Sequence, residues 1–130
     1  MAEDREAKIA RACEAAGCTP YAAELLLDGI THAAGMVTGR HLTAEEVIAG
    51  VACVSTNLFG MLAMMVLREN GIPDGAHVGA LATALCREGL LQRGPDDCVE
   101  QFERISGHLE VFARRVMPVI EKTWGAAWAV

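Results

Sequence analysis

Three side chains in the stretch "YAAELLLDGITHAAGM" have the types and the spacing of metal ligands. Glu24, Asp28 and His32 recur every four residues, so they share one face of a helix. Di-iron carboxylate bundles need a Glu-x-x-His pair from each of two helices, and this chain contains no Glu-x-x-His. We therefore expect a solvated helix face, and we predict neither a bound metal nor another cofactor. A metal-dependent enzyme is the least favoured function class.

A second candidate site lies in the uncharged run "VIAGVACVSTNLFGMLAMMVL", Val47 to Leu67. Asn57 is predicted to be a buried amide, which needs hydrogen-bond partners. A facing carbonyl that fixes helix register is the simpler partner, and an apolar small molecule is the alternative. Methionine side chains adapt to ligands of irregular shape. The ligand-binding set would be Asn57, Met61, Met64 and Met65.

No nucleophile stands beside a base in the local sequence. The five cysteines show neither a Cys-x-x-Cys motif nor a zinc spacing: Cys13, Cys18, Cys53, Cys86 and Cys98. Acidic neighbours on both sides of Cys98 disfavour a thiolate there, and no Gly-x-Ser-x-Gly motif occurs. A histidine can still approach a thiol through the fold. The sequence thus predicts no catalytic residue and favours a protein that is not an enzyme.

Composition limits the partners and the compartment. The net charge of −6 and the scattered basic residues argue against nucleic-acid binding and favour a basic protein partner, if the chain has one. The odd number of cysteines suits a reducing compartment. The acidic start "MAEDREAKIARACEAAG" does not resemble a signal peptide. We expect a cytoplasmic protein.

The elements that must position these residues are helices. Apolar residues make up 52% of the 130 and aromatic residues 5%, while strand patterns are almost absent. The sequence predicts an all-α, single-domain bundle of about five helices over residues 1–130. Helix-capping residues and helix-breaking Gly and Pro residues predict the bounds of the five helices. The first covers residues 3–16, the second runs from Thr19-Pro20 to Gly39, and the third runs from the capping box of Thr43 and Glu46 to Gly71. The fourth runs from Pro73-Asp74 to Gly94, and the fifth begins at residue 96 and is kinked at Pro118.

The third of these, near residues 44–70, is predicted to be the central apolar helix. Its length also fits a membrane span. The polar residues at its middle and the lack of flanking Lys or Arg argue against a membrane. Small residues at Gly50, Cys53, Asn57 and Gly60 predict a second helix backbone at short range, from this chain or from another copy.

The sequence predicts that the central helix carries more apolar surface than four other Ala-rich helices cover. We therefore predict a homodimer that packs through its apolar helices, and a non-catalytic interaction or regulatory module as its function. The tryptophans of the tail are expected either to cover the end of the bundle or to dock on the partner. The predicted interface residues are Val47, Val51, Val54, Leu58, Trp124 and Trp128.

Overall fold

The regular structure of the described residues is entirely helical. The computed structural model describes residues 4–36, 42–91 and Phe102, without the side chains of Met36 and Met61. In these ranges lie α1 (Arg5–Ala16), α2 (Pro20–Met36), α3 (Ala44–Phe59), α4 (Ala63–Glu69) and α5 (Gly75–Arg87), with a 3-10 turn at Gly60–Leu62. The predicted all-α class is confirmed. The predicted last helix and its kink at Pro118 lie outside the described residues, apart from Phe102.

Helix starts follow the caps that the sequence predicts. The hydroxyl of Thr43 accepts a hydrogen bond from the backbone N–H of Glu46 at 3.1 Å, and the carboxylate of Glu46 accepts one from the N–H of Thr43 at 2.9 Å. This reciprocal pair satisfies two donors that α3 cannot pair internally. Similarly, α2 begins at Pro20, directly after its capping residue Thr19. The capping box and the proline start are confirmed.

The most extensive helix contact joins α2 to α3. The two backbones touch at Gly29 and Gly50: a Cβ atom on Gly50 would overlap the carbonyl oxygen of Gly29, and one on Gly29 would lie 2.7 Å from the backbone nitrogen of Val51. The predicted close approach at Gly50 is confirmed, and the neighbour is α2 of the same chain. Only glycine at both positions permits this crossing.

The apolar run does not form one helix. At Gly60 the backbone takes φ +57° and ψ −127°, a conformation that residues with a Cβ rarely adopt, and α4 leaves at 112° to α3. The predicted single helix near 44–70 is therefore wrong. Within the described ranges, no one helix is long and apolar enough to cross a membrane; α3 and α4 meet those criteria only as a bent pair.

Helices α1 and α5 pack together and complete the core around α2 and α3. The core is aliphatic; its largest fully buried apolar side chains include Leu25, Leu26, Ile48, Val51, Leu67, Ile72, Val78, Leu81 and Leu85. Arg11 of α1 pairs with Glu88 at the end of α5. Helix α5 stops at Arg87 and not near Gly94 as predicted, because Gly89 takes φ +78° directly after it.

A single chain already covers the first half of α3. Val47 is 8% exposed and Val51 is fully buried, so neither is available to a second copy without rearrangement. The expectation that this part of the helix lacks cover within one chain is wrong. The rest of the chain covers less of α3 toward the bend, where Val54 is half-buried and Leu58 is 58% exposed.

Candidate functional site

The three predicted metal candidates do not converge. Glu24 forms an ion pair with Arg5 of α1 at 2.9 Å, Asp28 is exposed, and His32 faces α3. Glu24 makes its pair at the surface, whereas His32 is half-buried against α3, so the expectation of a solvated face is wrong for His32. Across residues 4–36 and 42–91, no group of three or more His, Cys, Asp or Glu side chains could hold a metal ion.

The fold does bring a thiol and an imidazole together between α2 and α3. The sulfur of Cys53 lies 3.4 Å from Nε2 of His32, and the side-chain amide of Asn57 points its nitrogen at the same sulfur from 3.8 Å. The cysteine and the histidine each lie one helical turn after the glycine crossing, at Gly50 and Gly29. Sequence reasoning missed this pair, because its members are 21 residues apart and only the crossing of the helices joins them.

The chemistry of this pair is that of a hydrogen bond that involves an un-ionised thiol. Burial raises the pKa of the Cys53 thiol, and the hydrogen bond from Asn57 offsets only part of that rise. Because the thiolate is the nucleophilic form and Cys53 is 1% exposed, attack on a substrate is disfavoured. The pair links α2 to α3, and the tautomer of His32 decides which atom donates.

The predicted ligand-binding residues stand on both sides of the bend. Asn57, at the end of α3, is exposed, so its predicted burial is wrong. On α4, Met64 is half-buried against the core and Met65 is 52% exposed, while the side chain of Met61 lies outside the described residues. No described contact joins the amide of Asn57 to these methionines. The ligand site stays a prediction.

Large apolar side chains are exposed around the α3–α4 bend, on a surface that we call the bend patch. Three of them lie within residues 58–65, and the fourth, Tyr21 of α2, meets the ring of Phe59 edge to face at 6.2 Å. The members of the patch are Tyr21 (43% exposed), Leu58 (58%), Leu62 (57%) and Met65 (52%). Of the predicted interface residues, Leu58 belongs to this surface. Trp124 and Trp128 lie outside the described residues.

Comparison with family models, with curated proteins and with solved structures found no match.

Proposed function

We propose that the chain is a non-catalytic helical interaction module that forms a homodimer through the bend patch. The observation that supports this proposal is the exposure of four large apolar side chains: three lie within residues 58–65 at the bend, and the fourth, Tyr21, is in ring contact with Phe59. Together they leave on the order of 400 Å² of side chain in water, which is within the range of the largest apolar patch on a typical monomer, and such a patch is often functional.

The charge pattern favours a second copy as the occupant. The chain carries a net charge of −6, so two copies repel one another over most of their surfaces. The bend patch lies in and beside the run 47–67, which contains no charged side chain. Two copies that meet through this surface remove apolar area from water without bringing carboxylates together. A two-fold dimer places the same patch on both sides of the interface.

The geometry of the bend favours docking over burial within the chain. Gly60 ends α3, α4 continues at 112° to it, and Leu58, Leu62 and Met65 on the two sides of this bend are exposed. A few desolvated side chains near the centre of an interface supply most of its binding energy, and Tyr21 is of a type enriched among them. The acidic balance of the chain would then suit a basic protein as a further partner of the dimer.

The test is the mass of the chain in solution, with one charge placed in the patch. Light scattering at micromolar concentration should give twice 13.8 kDa for the wild type. Leu58→Glu and Leu62→Glu should each give the monomer mass with an unchanged helical circular-dichroism spectrum, because a buried unpaired carboxylate opposes association. Ala80→Glu, on the exposed side of α5, is the matched control and should stay dimeric.

A monomeric wild type would contradict the homodimer. Native mass spectrometry of the purified protein then addresses the alternative, an apolar small molecule near Asn57, Met64 and Met65. If the wild type retains a ligand and Leu62→Glu loses it, the result supports a ligand-binding bundle and not a homodimer. A dimer mass that both patch variants preserve would place the interface elsewhere.

A further inference from the structure

Two cysteines lie at the ends of the turn that closes α1. Gly17 takes the left-handed conformation at φ +76°, and the backbone N–H groups of Gly17 and Cys18 both donate to the carbonyl oxygen of Cys13, at 2.8 and 3.0 Å. The bond from Cys18 to Cys13 is the six-residue closure of a Schellman motif. This motif brings the side chains at its two ends into contact, and here both side chains are thiols.

The backbone closure places the two thiols close together, and they are not joined by a disulfide. The sulfur of Cys13 donates a hydrogen bond to the carbonyl oxygen of Thr19, the residue after Cys18, at 3.3 Å. Cys13 is buried, whereas Cys18 is partly exposed. Cys18 is therefore the member of the pair that lies nearer to solvent.

The chain around the pair is fixed from the opposite side. The N–H of Thr19 donates to the carbonyl oxygen of Asn70 at 3.1 Å, and the Thr19 hydroxyl donates to the side-chain oxygen of Asn70 at 2.6 Å. The backbone of Gly71 packs so closely on Cys18 that a Cβ at Gly71 would lie 2.8 Å from the Cα of Cys18. These contacts hold the turn closed, so the thiols stay together at a high effective concentration.

We propose that Cys13 and Cys18 are a redox-active dithiol that closes to an intramolecular disulfide by exchange with a small-molecule disulfide such as oxidised glutathione. The thiolate of Cys18 attacks one sulfur of the small disulfide and releases the other half as a thiol after it takes up a proton. The thiolate of Cys13 then attacks the sulfur of Cys18 and displaces the second half. The two protein thiols are oxidised by two electrons, and the small disulfide is reduced to two thiols.

The environment of the pair makes this exchange slow in both directions. Burial, together with the neighbouring Cys13, raises the pKa of the Cys18 thiol to about 12, and burial also raises the pKa of Cys13. Few thiolates are present at neutral pH, so closure is slow. A thiol of high pKa is also a poor leaving group, so the disulfide reopens slowly once it has formed. The pair therefore responds to sustained oxidation. This inference is independent of the proposed dimer.

The test uses the whole, native chain and tryptic peptides. Trypsin cleaves after Arg11 and Arg40, which leaves Cys13 and Cys18 as the only cysteines of the peptide 12–40. After incubation with oxidised glutathione and blocking of free thiols, this peptide should lack about 2 Da and carry no blocking group, since closure removes two hydrogens. A peptide blocked on both cysteines, or one that keeps glutathione on Cys18, would overturn the proposal.

Two variants test whether Cys18 reacts before Cys13, and the urea-unfolded chain tests whether the fold brings the thiols together. Cys13→Ser should accumulate the glutathione adduct on Cys18, because the resolving thiol is gone, while Cys18→Ser should leave Cys13 unmodified. The equilibrium constant for forming the Cys13–Cys18 disulfide with oxidised glutathione should be at least tenfold larger in the native chain than in the urea-unfolded chain, because the helix cap holds the thiols together. Equal equilibrium constants in the native and unfolded chains would show that the fold does not bring the two thiols together.

Discussion

The hydroxyl of Ser55 on α3 is fully buried, and within the described part of the chain it has no hydrogen-bond partner. A buried polar group without a partner loses its hydration and gains nothing in return. We expect Ser55→Ala to raise the free energy of unfolding by about 1 kcal/mol. Urea denaturation measures this, with Thr31→Ala as the control: the Thr31 hydroxyl is exposed and bonds the carbonyl of Leu27. A loss of stability in Ser55→Ala would reveal a partner that we have missed.

The hydrogen bond between His32 and Cys53 predicts a coupling between α2 and α3. Removal of one member leaves the other partly buried with a lost hydrogen bond, so His32→Ala should cost about 1 kcal/mol of unfolding free energy. In a double-mutant cycle, Cys53→Ala should remove part of that cost. Asp28→Ala, at an exposed position on the same helix, should change stability by less than about 0.5 kcal/mol. Additive effects at His32 and Cys53 would contradict the pairing.

Asp74 links stability to pH through the start of α5. Burial alone would raise the pKa of Asp74, but hydrogen bonds from the side chain and backbone of His77 together bring it below its usual range. A lowered folded-state pKa gives stability that is present above the unfolded-state pKa and is lost as the pH falls through the folded-state pKa. We expect Asp74→Ala to cost about 1 kcal/mol at neutral pH and less in acid.

Urea denaturation over a series of acidic buffers measures this dependence. Asp74→Asn is the matched control, because Asn keeps an oxygen that caps the helix but does not titrate in this range. If the stability difference between the wild type and Asp74→Ala is the same at all pH values, the charge of Asp74 has no part in the cap.

At the scale of elements, the sequence predicts helix starts better than helix continuity. Thr43, Glu46 and Asp74 act through bonds to residues three positions away, so a local pattern is sufficient to find them. The sequence does not predict the break at Gly60, because apolar residues continue on both sides of it and one glycine within such a run is compatible with a continuous helix. The conformation of Gly60 depends on where α4 packs, which is a tertiary property.

The crossing of α2 and α3 predicts a large cost for one added methyl group. In Gly50→Ala the new Cβ overlaps the carbonyl of Gly29, and backbone cannot move aside as a side-chain end can. We expect a loss of about 2 to 3 kcal/mol of unfolding free energy. Gly35→Ala on α2 is the control, because a Cβ there meets nothing within 4 Å and should stabilise the helix slightly. Equal stability of the two variants would contradict the backbone contact.

At the scale of the whole molecule, the bend decides which apolar surface is covered. A straight helix over residues 44–70 would need neighbours along its full length, and this was the basis for predicting an interface at Val47 and Val51. The fold instead buries those residues against its own chain and exposes Leu58, Leu62 and Met65 at the turn. Periodicity identified the apolar face, but only the packing of α2 and the direction of α4 determine which part of it meets water.

A homodimer through the bend patch couples thermal stability to concentration. A folded dimer that unfolds to two separate chains gains stability by mass action, so the Tm of the wild type should rise by about 2 to 3 °C for each tenfold increase in protein concentration. Leu62→Glu should unfold at a Tm that does not depend on concentration, because its folded state is monomeric. Ala80→Glu should behave as the wild type. Calorimetric scans across a hundredfold range of concentration separate these outcomes, and a wild-type Tm that stays constant over that range would mean that the bend patch does not hold two chains together.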